Sequence, residues 1–218
     1  MNQRHLGGKA SEISHRVIGW GRNNFQRYPW RSTDNHWLAL VAEIMLQRTR
    51  AAAVIPVWNY WEQSFSTPQV LMASPHQSIR ESFKSLGLGW RVDFLIKLAE
   101  KLGAREIPEN KADLMKLPGV GDYVSSAYLS LHAEVRESIV DSNVVRWISR
   151  LTGIKVDGET RRSKWIRELA DEMTPVTGYR EYNYGVLDLT MTVCKARPLC
   201  ARCPVAEYCA SRQQFYDV

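Results

Sequence analysis

An all-α fold is predicted for this chain of 218 residues by three observations. Apolar residues recur at helical spacing in one segment after another. No stretch alternates apolar and polar in the way of a half-buried strand. The breaks between segments fall at turn signals such as Tyr28-Pro29-Trp30-Arg31, Pro108 and Pro118-Gly119-Val120-Gly121. A hydrophobic content of 44%, with eight Trp and nine Tyr, is ample for a packed core.

Taken in order, the first helix is read over residues 12–25, with Ile13, Val17, Trp20 and Phe25 on one side. A strongly apolar helix follows over 37–50, continued after a break by 54–65. Shorter helices fit 68–72, 77–86 and 91–102. Residues 111–117 and 122–132 form two helices joined by Pro-Gly-Val-Gly, and 142–152, 163–173 and 182–194 complete the set. There is no internal repeat, low-complexity tract or long linker.

The longest uninterrupted apolar run, Trp37 to Ala42, is far too short to cross a bilayer. The start of the chain is polar and has no apolar h-region, so no secretory signal is expected. The net charge is +6, from 29 Lys and Arg against 23 Asp and Glu, a modest excess that by itself points only weakly to nucleic acid. Arg146, Arg150, Arg161, Arg162 and Arg167 crowd one segment, where a solvated helix face is the plain expectation. Lys195, Arg197 and Arg202 sit among cysteines instead.

Those cysteines are the sharpest chemical signal. Cys194, Cys200, Cys203 and Cys209 are the only four in the chain, spaced Cys-x5-Cys-x2-Cys-x5-Cys. Four thiolates so close together can close round one metal centre, and a reduced cytosolic protein has little other reason to collect them. A four-cysteine zinc site is one reading. A 4Fe–4S cluster takes the same ligands and tolerates longer outer loops, and the single Cys-x2-Cys knuckle favours it.

Leu117-Pro118-Gly119-Val120-Gly121 is the next signal. Two glycines between short helices let the backbone turn tightly and expose amide N–H groups at a helix start, a ready phosphate site. A helix-hairpin-helix that holds DNA is preferred to an ordinary capped turn. Such a contact positions the protein without reading bases. Asp141, after Ile139-Val140 and before a helical pattern, suits an N-cap that leaves one oxygen free for chemistry. Glu43 is a lone acid within Leu38-Ala39-Leu40-Val41-Ala42-Glu43-Ile44-Met45-Leu46, where desolvation is expected to favour its protonated form. One protonated and one ionised carboxyl are what glycosidic cleavage requires.

The hairpin, an Asp about twenty residues on and a C-terminal four-cysteine cluster together resemble the endonuclease III-like helix-hairpin-helix DNA glycosylases. The resemblance covers about residues 28–209. It implies two helical domains, 30–134 and 1–29 plus 135–218, with double-stranded DNA bearing a mismatched or damaged base held in the cleft between them. It also implies a 4Fe–4S cluster on Cys194, Cys200, Cys203 and Cys209, although the first cysteine loop is one residue shorter than the family's. A monomer, in the cytoplasm and away from membranes, is expected.

Within that family the lyases place a Schiff-base lysine where this chain has Tyr123, so the resemblance implies a monofunctional enzyme that leaves the backbone whole. Glu43, Tyr123, Asp141 and Asn143 match the catalytic set of the MutY-type and thymine-mismatch branches. In that match Glu43 serves the leaving base, Asp141 stabilises the oxocarbenium-like sugar, and Tyr123 and Asn143 orient the reacting groups. Gln47 and Arg48 match positions that fill the gap of the flipped base and touch its partner; extrusion is needed because the glycosidic carbon is out of reach in the stack. Leu117, Gly119, Val120, Gly121, Trp90, Lys195 and Arg197 are the other expected DNA contacts.

Gln47-Arg48 in place of Gln-Gln, Gly89-Trp90-Arg91 in place of Gly-Tyr-Tyr, and a chain ending soon after Cys209 favour the thymine-mismatch branch. Thymine or uracil opposite guanine is therefore the expected target, with adenine opposite guanine or 8-oxoguanine as the alternative. A non-catalytic iron–sulfur DNA-binding module is the reading from another class. Against it stands the presence of both Glu43 and Asp141.

Overall fold

The computed structural model describes residues 6, 8–87, 89–212 and 214. The start of the polar N-terminal stretch therefore lies outside the described residues. Eleven α-helices are present among the described residues, and no strand. None of these helices is long and apolar enough to cross a membrane. The chain divides into two compact units, Arg27–Val135 and Met1–Gln26 with Arg136–Val218.

The Arg27–Val135 unit is built round α2 (His36–Met45), flanked by α3 (Ala51–Ser64), α4 (Pro68–Ala73), α5 (His76–Phe83), α6 (Trp90–Leu102), α7 (Lys111–Leu114) and α8 (Asp122–His132). All residues from Trp37 to Met45 are buried. That explains why α2 reads as continuous apolar sequence rather than an amphipathic stripe. Its start is set by Asn35, whose Oδ1 accepts the Leu38 amide at 3.1 Å. Four tryptophans, Trp30, Trp37, Trp58 and Trp61, fill the core, and three of their indole N–H groups donate to the Phe65 carbonyl (Trp37), the Leu38 carbonyl (Trp58) and the Ser82 hydroxyl (Trp61).

Three helices end three or more residues earlier than their patterns predict; the one expected over 77–86 stops at Phe83 and passes into a single 3-10 turn, Lys84–Leu86. The helix expected over 37–50 stops at Met45, because the chain turns over at Arg48, a non-glycine residue held at φ 56°. The helix expected over 111–117 stops at Leu114, and the Met115 and Leu117 amides turn back in tight bonds to the Lys111 and Leu114 carbonyls.

The other unit packs α1 (Lys9–Asn24) on α11 (Tyr179–Thr192), beside α9 (Ser142–Thr152) and α10 (Lys164–Met173). Glycine makes the α1–α11 crossing close: a Cβ on Gly185 would lie 2.9 Å from a Val17 methyl and 3.0 Å from the Val17 carbonyl oxygen. Ile13 and Val17 are buried there as expected, whereas Trp20 and Phe25 are only half-buried.

Candidate active site

Glu43 projects from the last full turn of α2 and is 2% exposed. An isolated carboxylate is costly in such a place, and it has a partner. His132 Nε2 lies 3.2 Å from Glu43 Oε1, with both side chains almost wholly buried. His132 is the last residue of α8, eighty-nine positions further along the chain. Either the imidazole donates to the carboxylate or a protonated carboxyl donates to the ring, so one proton lies between the two. His132 Nδ1 has no partner.

Immediately after α2, Leu46 to Arg50 form a tight turn. Arg48 is exposed, in a left-handed conformation that costs a non-glycine residue about 1–2 kcal/mol. Gln47 does not stand free: its Nε2 donates to the Gly119 carbonyl at 3.0 Å, which ties this turn to the hairpin between α7 and α8. In that hairpin only one glycine is obligatory. Gly119 adopts φ 78° and a Cβ there would lie 3.0 Å from Phe94 Cβ. Gly121, the N-cap of α8, has ordinary extended φ and open space about it, so the left-handed step of the turn falls on Gly119. Leu117 and Val120 are buried, so their side chains belong to the core and only backbone groups are available to a phosphate. Tyr123 sits in the first turn of α8, partly buried against that core. Trp90, at the start of α6, is 40% exposed and meets Phe94 edge-to-face at 5.5 Å.

In the other unit Asp141 caps α9. Its Oδ1 accepts the Val144 amide at 2.7 Å and its Oδ2 accepts the Asn143 side-chain amide at 2.9 Å. The oxygen expected to be free is therefore engaged by Asn143. Arg146 continues this line, donating to Asn143 Oδ1 and to the carbonyls of Thr190 and Cys194. Arg150 donates to the carbonyls of Lys195 and Ala196 and to Cys194 Sγ at 3.5 Å. These two arginines are not a solvated face, as the charge run alone predicts. They fasten the cysteine loop to α9.

The four thiols share that loop. Burial pushes the Cys203 thiol up to about 11, and Cys194, Cys209 and Cys200 add to the effect. Burial raises Cys209 as well, again with neighbouring cysteines contributing. Among the described residues no three His, Cys, Asp or Glu side chains converge as ligands of a single ion would. Lys195, Arg197 and Arg202 are exposed around the loop.

Helical units and a glycine hairpin agree with what the comparisons return. Residues 41–175 match the HhH-GPD superfamily of base excision DNA repair proteins. The chain belongs to this superfamily. It is 33% identical over 213 residues to a thymine-DNA glycosylase of Aeropyrum pernix, covering 93% of this chain and 95% of that protein. To the adenine DNA glycosylase of Homo sapiens it is 30% identical over 213 residues, covering 91% of this chain and 39% of that protein. Its fold matches the solved structure of a thermostable thymine-DNA glycosylase with a TM-score of 0.86 at 25% identity, over 94% of this chain and 97% of that one.

In this HhH-GPD chain, structure adds two residues to those picked out from the sequence. His132 is one, since a histidine closing an amphipathic helix carries no local mark of a distant carboxylate. Arg91 is the other. It stood out only as a departure from Gly-Tyr-Tyr, yet it is wholly buried beneath the turn that carries Gln47 and Arg48.

Proposed function

We propose that this DNA glycosylase hydrolyses the N-glycosidic bond of thymine or uracil mispaired with guanine and leaves the strand uncut. The observation that carries this reading is the likeness to thymine-DNA glycosylases, in sequence over 93% of the chain and in fold over 94% of it. Chemistry at the named residues supports it. Cleavage at the sugar passes through an oxocarbenium-like state, and a carboxylate already fixed in place offsets the growing positive charge without reorganising. Asp141, held by the Val144 amide and Asn143, has that fixity. In this reading Asp141 stabilises the sugar and Asn143 orients Asp141. Glu43, with His132, handles the proton at the departing base, directly or through water. Tyr123 stands where a lyase needs an amine, and a phenol forms no imine. Backbone amides at the start of α8 hold a phosphate, while the exposed Arg48 offers a fork suited to the O6/N7 edge of guanine.

The four cysteines fit a 4Fe–4S cluster. All four thiols lie near enough to act on one another electrostatically, and four thiolates with a single Cys-x2-Cys knuckle are the donor set such a cluster takes. Cys194, Cys200, Cys203 and Cys209 would hold the cluster, and with their thiolates tied Lys195, Arg197 and Arg202 would be presented rigidly to the DNA backbone. Protein purified anaerobically is expected to be yellow-brown with about four irons per chain. A colourless, fully active protein with one zinc would replace the cluster by a zinc site.

Adenine is the second reading, favoured by Glu43 itself: N7 of a departing purine is the clearest acceptor for its proton, and a pyrimidine has no N7. A panel of T·G, U·G, A·G and A·8-oxoguanine duplexes, each read with and without alkali, tests both. T·G and U·G are expected to react fastest and to show breaks only after alkali. Adenine release from A·8-oxoguanine about tenfold or more faster than thymine release from T·G would make the adenine reading correct.

A further inference from the structure

Arg91, in the first turn of α6, has no solvent exposure at all. A buried cation requires compensation, and here none of its hydrogen-bond partners is acidic. Nη1 donates to the carbonyl oxygens of Met45 and Gln47 and to Thr49 Oγ1, while Nη2 donates to the carbonyls of Leu86 and Gly87. Its guanidinium carbon stands 5.2 Å from the centre of the Phe83 ring. The charge is thus solvated by four peptide dipoles, one hydroxyl and an aromatic face. Nε has no partner, so neither side of the fork can swing without losing bonds that nothing else replaces.

The acceptors belong to two turns. One follows α2 and carries Gln47 and Arg48; the other precedes α6 and leads to Trp90. The Met45 carbonyl, which a continuing helix would offer to the Thr49 amide, is taken by the guanidinium, and Thr49 N bonds Leu46 O at 3.2 Å instead. That capture ends α2 and leaves Arg48 at φ 56°. Through Gln47 Nε2 and the Gly119 carbonyl the same assembly reaches the hairpin. Three turns of one unit are joined by two side chains.

We propose that Arg91 is the positioning residue for partner-base recognition: it locks the turn after α2 so that Arg48 meets the base opposite the one removed. This rests on reading Arg48 as the contact to the orphaned guanine. Lysine cannot substitute, because a single ammonium with three donors does not bridge both turns as a planar fork does.

The test is fluorescence anisotropy with duplexes that hold a tetrahydrofuran abasic site opposite guanine or opposite 7-deazaguanine, which lacks the N7 acceptor. No turnover is needed. Wild type is expected to prefer guanine by about tenfold, the size of one lost contact of a bidentate pair. Arg48→Ala abolishes the preference, Arg91→Lys reduces it to about twofold, and Arg48→Ala/Arg91→Lys is no worse than Arg48→Ala alone. Far-UV circular dichroism and thermal midpoints establish that Arg91→Lys is folded. A folded Arg91→Lys with the wild-type ratio overturns the proposal; where that variant does not fold, an unchanged ratio in Thr49→Val does. No guanine preference in wild type overturns the placement of Arg48 and this proposal with it. A wrong base specificity in the duplex panel leaves the anisotropy ratios intact, so the two failures are separable.

Discussion

Glu43 lies in the last turn of an apolar helix with its side chain sealed from solvent, whereas Asp141 stands at the start of α9, half-buried, with both oxygens engaged by its own helix. The first carboxyl depends on a single imidazole that arrives from another helix; the second depends on groups within three residues of itself. Local capping fixes the Asp141 carboxylate in place, because the amides that hold it belong to the same helix start. Glu43 instead has one long-range contact in a dry place, the geometry on which its proposed part at the departing base rests. The same functional group is thereby given two chemical characters by two kinds of neighbourhood.

The largest effect that distinguishes them is on turnover. Asp141→Asn is expected to lower the single-turnover rate by roughly 10³-fold while duplex affinity stays near wild type, because the developing sugar charge loses its counter-charge. Asn is as good a helix cap as Asp, so the fold should tolerate the change. Glu43→Gln should lose less, roughly 10²-fold, as expected for one proton transfer routed through water instead. Rates within about threefold of wild type for Asp141→Asn would remove the distinction and the assignment with it.

Legibility in the sequence follows the same division. The cap at Asp141, the bounds of α8 and α9 and the crowding of the cysteines are local patterns, and the chain declares them. The family resemblance adds the roles. The early end of α2 was not legible, since Leu46 to Arg50 read as continuing helix until the Arg91 guanidinium, over forty positions away, captures the carbonyls of Met45 and Gln47. Glu43 was legible as an anomaly but its partner was not, for a contact that spans eighty-nine positions leaves no periodic trace.

The smallest expected effects are on stability, and they test the difference in support directly. His132→Ala leaves Glu43 buried without its imidazole, an unmade contact that costs about 1–3 kcal/mol. Asp141→Ala removes a cap worth about 1 kcal/mol, and frees Asn143, which can turn to water because it is only half-buried. Urea midpoints should therefore fall further for His132→Ala than for Asp141→Ala. Glutamine at 132 can still donate an N–H toward the carboxyl, so His132→Gln should recover part of the stability without restoring the rate. The reverse order of midpoints would mean that water reaches Glu43 and serves in place of the imidazole. In that event the dry, long-range support drawn for Glu43 is wrong, and His132 is no more than a core residue that happens to touch it.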